Sequence, residues 1–355
     1  MFIIKKKRIT IFDVAKRAGV AISTVSFVLN KKTDKPKISH ETQKKVRKAA
    51  KELGFEPDYL AQSLATGKSK MIGLVLIEIA SSFYPEIIAS ISNYLEDRGY
   101  MVILCSSEND IAKQQKYLKM LVHKKVEGII LNPLSDKPYI EVERYIKKLA
   151  QKIPILTLCH SIASPDISYV KVDNVLGGYM ATKHLIDLGH THIAYVSRGR
   201  SMKDIESCEE NLLRYQGYLK ALDEYDIKNN SNIIFGEIYD YYETGKLIAD
   251  KLARVDKKIT GIFAYSDLMA KGIVDGLRRN NIFVPDDLSI IGFDDLLISR
   301  IFSPPLTTIS QPKSKLGEIA AHNILQMIHG KGVDNRLLMP EIVVRETTTK
   351  VNSRH

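Results

Sequence analysis

Three short amphipathic segments stand at the start of the chain. Thr10 followed by Asp13 predicts a helix N-terminus, because such side chains satisfy backbone N–H groups that lack a helical partner. The first helix is expected from about Ile11 to Ala18, and Gly19 then permits the positive φ of a tight turn. A second helix is expected from about Ser23 to Asn30. The apolar residues that pack the two together are Ala15, Val20, Val25 and Val28.

A third helix follows in the run HETQKKVRKAAKEL. Ser39 is its predicted N-cap, and Gly54 is its predicted C-terminal stop. Its apolar face consists of Val46, Ala49, Ala50 and Leu53. Three small helices of this kind form a minimal core around a helix-turn-helix.

From Met71 onward the pattern changes to apolar runs that alternate with amphipathic stretches. The runs are MIGLVLI, YMVILCS, EGIILNP, IPILTL, YVKVDN, HIAYVS, TGIFAYS and LSIIGFD. Strands that alternate with helices predict βαβ units and parallel sheets. Because so many strands exceed one small sheet, we expect two lobes with a cleft at the carboxyl ends of the strands.

The charge is distributed unevenly. Residues 1–70 hold seventeen Lys and Arg against six Asp and Glu, whereas the remainder holds thirty-five of each. A basic module beside a neutral domain is typical of a protein that neutralises DNA phosphates with one part only. The three cysteines lie far apart, which argues against a disulfide framework or a zinc site. The sequence has no membrane span or secretory signal, so a cytoplasmic location is expected.

Long motifs connect both parts to one family. DVAKRAGVAISTVSFVLN and FEPDYLAQSLATGKS resemble the headpiece and hinge of the lactose-repressor (LacI/GalR) family, and DNVLGGYMATKHLIDLGHTHIAYVS, RYQGY, FAYSDLMAKG and VPDDLSIIGFDD resemble its sensor domain. The resemblance implies an all-α helix-turn-helix headpiece at 1–57, a hinge helix and linker at 58–70, and an α/β two-lobed, periplasmic-binding-protein-like effector-binding and dimerisation domain at 71–355.

The resemblance also assigns DNA contacts. Ile22, Ser23 and Phe27 match positions that read base edges in the major groove. The positions that approach phosphates or brace the helix are Thr10, Thr24, Ser26 and Asn30. Leu64 matches the hinge leucine that wedges between base pairs from the minor groove. Phe27 cannot make a bidentate contact to guanine, so we expect an altered operator there.

The matching effector contacts lie at strand ends in the sensor domain. Arg214 and Asp294 can hold hydroxyls or an anionic group through charge-assisted hydrogen bonds. The other residues expected to contact the effector are Phe83, Tyr84, His160, Ser266 and Asp267. Core packing remains the rival explanation for Tyr84, and simple solvation the rival for His160.

Some positions depart from the family. Cys159 and His160 stand where relatives often carry Asp and then Arg or an aromatic residue, and Asp240 stands at a commonly aromatic position. Cys208 fills the place of a second Arg that some purine-binding relatives use. The departures at Cys159, His160 and Asp240 predict an unusual effector, whereas Cys208 favours a neutral sugar-like effector, with a purine as the alternative.

The sequence therefore predicts a homodimeric transcription regulator, in the repressor class, that binds a palindromic operator in double-stranded DNA under the control of an effector. The sign of that control stays open, and a phosphoprotein corepressor is a further possible partner. Enzymatic motifs are absent, and no cofactor, metal or membrane partner is expected. The alternative is a sugar-binding sensor without specific DNA readout.

Overall fold

The computed structural model describes residues 9–29, 38–56, 67–134, 140–227, 233–236, 240–254 and 259–351. The chain divides into two compact units, Met1–Ser69 and Lys70–His355.

The described residues of the first unit form three helices, α1 (Ile11–Ala18), α2 (Ile22–Leu29) and α3 (His40–Leu53). The predicted bounds of α1 and α3 are confirmed, and α2 begins one residue earlier than expected. The capping box at Thr10 and Asp13 is present, with the Thr10 N–H and hydroxyl donating to the Asp13 carboxylate over 2.8 and 2.7 Å. Gly19 ends α1 at φ 69°, a conformation that glycine adopts without strain.

The three helices share one small apolar core. Its buried residues are Val14, Ala15, Val25, Val28, Val46, Ala49 and Ala50. Arg17 of α1 also pairs with Glu52 of α3 over 2.8 Å at the surface. The apolar face predicted for α3 is confirmed, since Leu53 packs against the same cluster.

The second unit has two lobes, each built on a sheet. The first lobe begins with β1 (Met71–Leu76), α4 (Tyr84–Glu96), β2 (Met101–Ser106), α5 (Ile111–His123), β3 (Gly128–Leu131), α6 (Ile140–Ala150), β4 (Ile155–Leu158) and β5 (Ile167–Val172). The second lobe contains α7 (Asn174–Asp187), β6 (Ile193–Ser197), α8 (Met202–Ser207), α9 (Glu209–Glu224), β7 (Ile233–Phe235), α10 (Tyr241–Leu252), β8 (Gly261–Ala264), α11 (Asp267–Arg279), β9 (Ser289–Asp294), α12 (Leu297–Ile301) and β10 (Thr307–Ser310).

The chain then crosses between the lobes twice more. It returns to the first lobe as α13 (Lys313–Ile328) and β11 (Arg336–Leu338), and ends in the second lobe as β12 (Glu341–Val343). The sheet orders are β11-β5-β4-β3-β1-β2 and β12-β10-β9-β8-β6-β7. Among the described strands, every pair is parallel except β10 with β12, which is antiparallel. The α/β two-lobed prediction is therefore confirmed.

Each sheet is buried between layers of helices. In the first lobe Ile72, Leu74, Ile130 and Leu156 pack with Ile324 of α13. In the second lobe a cluster around Tyr195, Phe263 and Phe293 lies under α7 and α9. Because the strands are nearly all parallel, their carboxyl ends lie along one edge of each sheet.

Candidate functional site

A cavity of about 150 Å³ is lined by both lobes of the second unit. Its walls come from strand ends and from the segments where the chain crosses between lobes. The residues that line it include Phe83, Tyr84, Asn132, Cys159, His160, Asn174, Arg198, Glu210, Arg214, Tyr241, Tyr265, Ser266, Asp294 and Gln311. Six of the seven residues predicted to contact an effector are thus at one cavity.

Asp267 is the seventh, and the structure does not bring it to the cavity. Its buried carboxylate accepts hydrogen bonds from the Leu296 N–H over 2.8 Å, the Ser299 hydroxyl over 2.7 Å and the Thr308 hydroxyl over 2.5 Å. Burial, followed by the nearby charge of Asp294, raises the pKa of Asp267 to about 7. Asp267 therefore braces the loop after β9, and the expectation that it contacts the effector is corrected.

Arg214 is fixed by three protein acceptors. Nε donates to Asn174 over 2.9 Å, Nη1 donates to the Tyr265 carbonyl over 2.6 Å, and Nη2 lies 3.5 Å from Asp294 Oδ1. Its guanidinium carbon also lies 3.7 Å from the centre of the Phe293 ring, a cation–π distance. Arg214 is therefore held rigidly in the cavity wall.

Two glycines allow α7 and α9 to approach closely enough for the bond between Arg214 and Asn174. A Cβ at Gly178 would lie 2.1 Å from the Arg214 carbonyl oxygen, and one at Gly217 would lie 2.1 Å from the Val175 carbonyl oxygen. No side chain fits at such distances. The two helices can therefore pack only through these glycines.

Asp294 ends strand β9 in an unusual backbone conformation. Its φ is 112°, a region that non-glycine residues rarely adopt. Gln311 donates to Asp294 Oδ1 over 2.7 Å, and Lys313 donates to its main-chain carbonyl over 2.6 Å. Burial raises the pKa of Asp294, against the opposing effect of Arg214. In this strained backbone conformation the Asp294 side chain lines the cavity.

His160 and Glu210 join the two lobes. His160 Nε2 contacts the Glu210 carboxylate, and His160 Nδ1 lies 2.8 Å from Asn132 Oδ1 and 3.0 Å from the Pro133 carbonyl oxygen. Burial alone lowers the pKa of His160, but Glu210 outweighs it and the pKa is raised. Burial alone raises the pKa of Glu210, but His160 brings it well below its usual range. This is an ion pair across the cleft.

A second ion pair crosses the cleft beside the first. Lys171 Nζ lies 2.6 Å from Glu209 Oε1, and the Ser161 N–H and hydroxyl each donate to Glu209 over 3.1 Å. Glu209 and Glu210 occupy the first turn of α9, where negative charge is favourable. The start of α9 is therefore the main polar contact between the lobes at this edge.

Tyr84 is both a core residue and part of the cavity wall. It is buried, its hydroxyl accepts from Asn132 Nδ2 over 2.7 Å, and its ring meets Phe83 edge to face at 5.3 Å. Cys159 lies beside it, and burial raises the pKa of the thiol, which is therefore neutral. Core packing and a place in the cavity wall are therefore compatible for Tyr84.

Sequence reasoning missed several cavity residues, among them Arg198, Glu210 and Tyr241. Asp240 is the N-cap of α10, and the aromatic residue of this segment is its neighbour Tyr241. An N-cap aspartate followed by an aromatic residue was the signal that could have found it. Arg198 and Glu210 carried no such signal, because a loop arginine and a first-turn glutamate are ordinary surface residues.

The first unit offers a second surface for contacts. On α2 the side chains of Ile22 and Ser23 are exposed, whereas Thr24, Ser26 and Phe27 are half-buried. Thr10 is exposed at the start of α1. Asn30 and Leu64, also predicted to contact DNA, lie outside the described residues. Ile22 and Ser23 are thus the most accessible of the predicted base-reading residues.

The described part of the chain contains no cluster of three His, Cys, Asp or Glu side chains arranged to hold a metal ion. None of its helices has the length and apolar character needed to cross a membrane.

Comparison with known proteins identifies both units. Residues 10–58 match bacterial regulatory proteins of the lacI family, and residues 182–348 match the periplasmic binding protein-like domain. The HTH-type transcriptional repressor PurR of Vibrio parahaemolyticus is 36% identical over 97% of this chain and 99% of its own length.

Solved structures agree with this match. The lac repressor dimer bound to operator and an anti-inducer is 29% identical, with a TM-score of 0.84 over 97% of this chain and all of that chain. A LacI family regulator from Enterococcus faecium with bound ribose is 28% identical, with a TM-score of 0.68 over 79% of this chain and all of that chain. The chain belongs to the lacI family of bacterial regulatory proteins.

Proposed function

We propose that this protein is a dimeric, cytoplasmic transcription repressor that binds a specific operator and responds to a small-molecule effector in the cavity between its lobes. The observation that carries the proposal is the full-length similarity to a transcriptional repressor, 36% identity over 97% of the chain. The chain has a helix-turn-helix unit followed by a two-lobed unit.

Recognition of the DNA base sequence is assigned to helix α2. Exposed Ile22 and Ser23 reach base edges in the major groove, and half-buried Phe27 meets a thymine methyl. Thr10, Thr24 and Ser26 contribute phosphate contacts or brace α2, and Asn30 and Leu64 keep the roles that the family resemblance gives them. The seventeen basic residues of residues 1–70 supply affinity that does not depend on sequence.

The operator is proposed to be an inverted repeat. The related lac repressor binds its operator as a dimer, and a two-fold dimer presents two identical recognition helices to the duplex. Residues 1–57 are proposed to form the headpiece, residues 58–70 the hinge, and residues 71–355 the domain that senses the effector and pairs with a second copy.

The effector is proposed to be sugar-like, with a purine as the alternative. A related regulator binds ribose, and the cavity here offers the polar groups and aromatic faces that suit such ligands: Phe83, Tyr84, His160, Arg214, Ser266 and Asp294. A ligand that favours one arrangement of the lobes by about 1–3 kcal/mol changes DNA affinity roughly 5- to 150-fold.

Selection of DNA by the full-length protein tests the proposal. Random duplexes retained at about 0.15 M salt are sequenced, and an inverted repeat shared among them is the expected result. Ser23→Ala and Phe27→Ala are expected to weaken that preference while binding to unrelated DNA stays salt-dependent. Retained duplexes without any common sequence would contradict specific readout.

A further inference from the structure

The cavity holds two arginines that are used differently. Arg214 donates to three protein acceptors, as described above. Arg198, in the loop after β6, also lines the cavity, but no described residue accepts a hydrogen bond from its guanidinium. Its ion pair with Glu210 spans 3.9 Å from Nη1 to Oε1, beyond hydrogen-bonding distance.

The Arg198 guanidinium lies in the cavity wall with its donors available to a ligand. The Arg198 side chain is only 17% exposed, and its planar fork carries five N–H donors. None of its nitrogens is among the described side-chain atoms that are both sealed and unpartnered, so a ligand oxygen can reach them. The fork matches the two oxygens of a carboxylate or a phosphate.

Charge balance in the cavity points to the same ligand class. His160 faces an acceptor at each ring nitrogen, the Pro133 carbonyl at Nδ1 and Glu210 at Nε2, so both nitrogens carry protons. The single negative charge of Glu210 is therefore shared by His160 and Arg198. Because Arg214 and Asp294 balance each other, one positive charge remains among the buried side chains that line the cavity. The buried Asp267, Asp295 and Lys313 are not part of this lining. Glu78 also lines the cavity, but its side chain is exposed to water.

Asp294 supplies a complementary acceptor. Its Oδ1 accepts from Gln311 and faces Arg214, whereas no described residue donates to its Oδ2. A ligand hydroxyl can donate to Oδ2 while an oxyanion on the same ligand meets Arg198.

We propose that Arg198 determines effector specificity by binding an oxyanion on a hydroxyl-bearing effector, which makes the effector a sugar acid or a sugar phosphate. The inference rests on the proposed function, because it assigns ligand chemistry to the same cavity. It replaces the neutral sugar expected from sequence.

Thermal unfolding of the full-length protein tests the inference. Inorganic phosphate is the minimal probe, with chloride at equal ionic strength as reference, and glucose, gluconate and glucose 6-phosphate follow. Phosphate is expected to raise the midpoint of the native protein and of Arg279→Gln, an exposed control, and to raise that of Arg198→Gln less. Basic residues of the headpiece are unchanged in all three proteins, so their phosphate binding cancels. A larger shift with gluconate or with glucose 6-phosphate identifies which oxyanion is preferred.

Arg198→Lys keeps the positive charge and provides a second variant if Arg198→Gln does not fold. It is expected to reduce the phosphate response several-fold because the planar fork is lost. Equal phosphate responses in native protein, Arg198→Lys and Arg198→Gln overturn the inference. A glucose response that survives Arg198→Gln but is lost in Arg214→Ala also overturns it, while leaving the proposed function intact. Absence of a shared operator sequence overturns the proposed function itself.

Discussion

Arg214 and Asp294 form a buried pair whose members depend on each other. Nη2 and Oδ1 lie 3.5 Å apart, and both side chains are largely shielded from water. Removing one partner of such a pair leaves the other charge uncompensated, at a cost of about 3–5 kcal/mol. The same pair lines the cavity, so stability and ligand binding are coupled at these two residues.

Arg214→Met is therefore expected to lower the free energy of unfolding by about 3 kcal/mol or more, measured by urea denaturation of the full-length protein. Lys183→Met is the matched control, because Lys183 pairs with Asp187 at the surface of α7. Such exposed pairs contribute about 0–1 kcal/mol. If the free energy of unfolding falls no more in Arg214→Met than in Lys183→Met, the pair of Arg214 and Asp294 does not stabilise the fold.

The ion pair between His160 and Glu210 predicts a pH window. A His pKa raised above 6.5 gives stability that is full below pH 6.5 and is lost as pH rises through the folded-state pKa. A Glu pKa lowered below 4.5 gives stability that is present above pH 4.5 and is lost as pH falls through the folded-state pKa. The pair therefore contributes most between about pH 4.5 and 6.5.

Glu210→Gln is expected to lower the unfolding midpoint most within this window and less as pH rises above it. Glu209→Gln is the control, because its partner across the cleft is the Lys171 ammonium group and not an imidazole. Midpoints are measured by circular dichroism from pH 5 to pH 8.5. A Glu210→Gln deficit that stays constant over this range would contradict a charged His160. Arg198 and Tyr265 also face Glu210 and are unchanged in both variants.

Individual cavity residues could be predicted only in part from sequence. Arg214 and Asp294 were found because motifs mark them. Glu210 and Arg198 were missed, because their importance arises from closure of one lobe on the other, which no local pattern encodes. Asp267 was predicted to face the ligand, but its carboxylate faces the loop after β9. The reason is that Ser266, the N-cap of α11, and Asp267, its first helical residue, point in different directions.

At the scale of elements, the packing of α7 on α9 sets the position of Arg214. The helices meet through Gly178 and Gly217, where any side chain would overlap main-chain atoms. Asn174 at the start of α7 then reaches Nε of Arg214 on α9. A small change in the distance between these helices moves the cavity wall directly.

Gly178→Ala is therefore expected to destabilise the protein by about 1–3 kcal/mol or more, because its Cβ would meet the Arg214 carbonyl oxygen at 2.1 Å. Gly332→Ala is the control, since a Cβ there has no neighbour within 4 Å. Differential scanning calorimetry of both variants checks the difference. Equal midpoints in the two variants would mean that α7 and α9 can separate freely.

Element boundaries were predicted well where caps define them. Ser39 and Gly54 bracket α3 because one accepts an orphan N–H and the other takes a positive φ. The strands β7, β11 and β12, of three residues each, and the threonine-rich β10 were not identified as strands. Such short strands are defined by the partner they pair with, which a local pattern does not contain.

At the scale of the whole molecule, the chain combines a basic helical unit with a neutral two-lobed unit. The two ion pairs across the cleft link the lobes through Glu209 and Glu210, next to the cavity where an effector would bind. A ligand that strengthens or replaces these contacts changes the relative energies of open and closed lobes, which is the requirement for control of DNA affinity.

Coupling between the cavity and DNA binding is tested by the Kd for the selected inverted repeat, with and without an effector that shifts the unfolding midpoint. Fluorescence anisotropy with labelled duplex at fixed salt gives both values. Coupling predicts a change of roughly 5- to 150-fold that is lost in Arg214→Ala. An unchanged Kd at saturating effector, with the midpoint shift still present, would contradict coupling between the cavity and DNA binding.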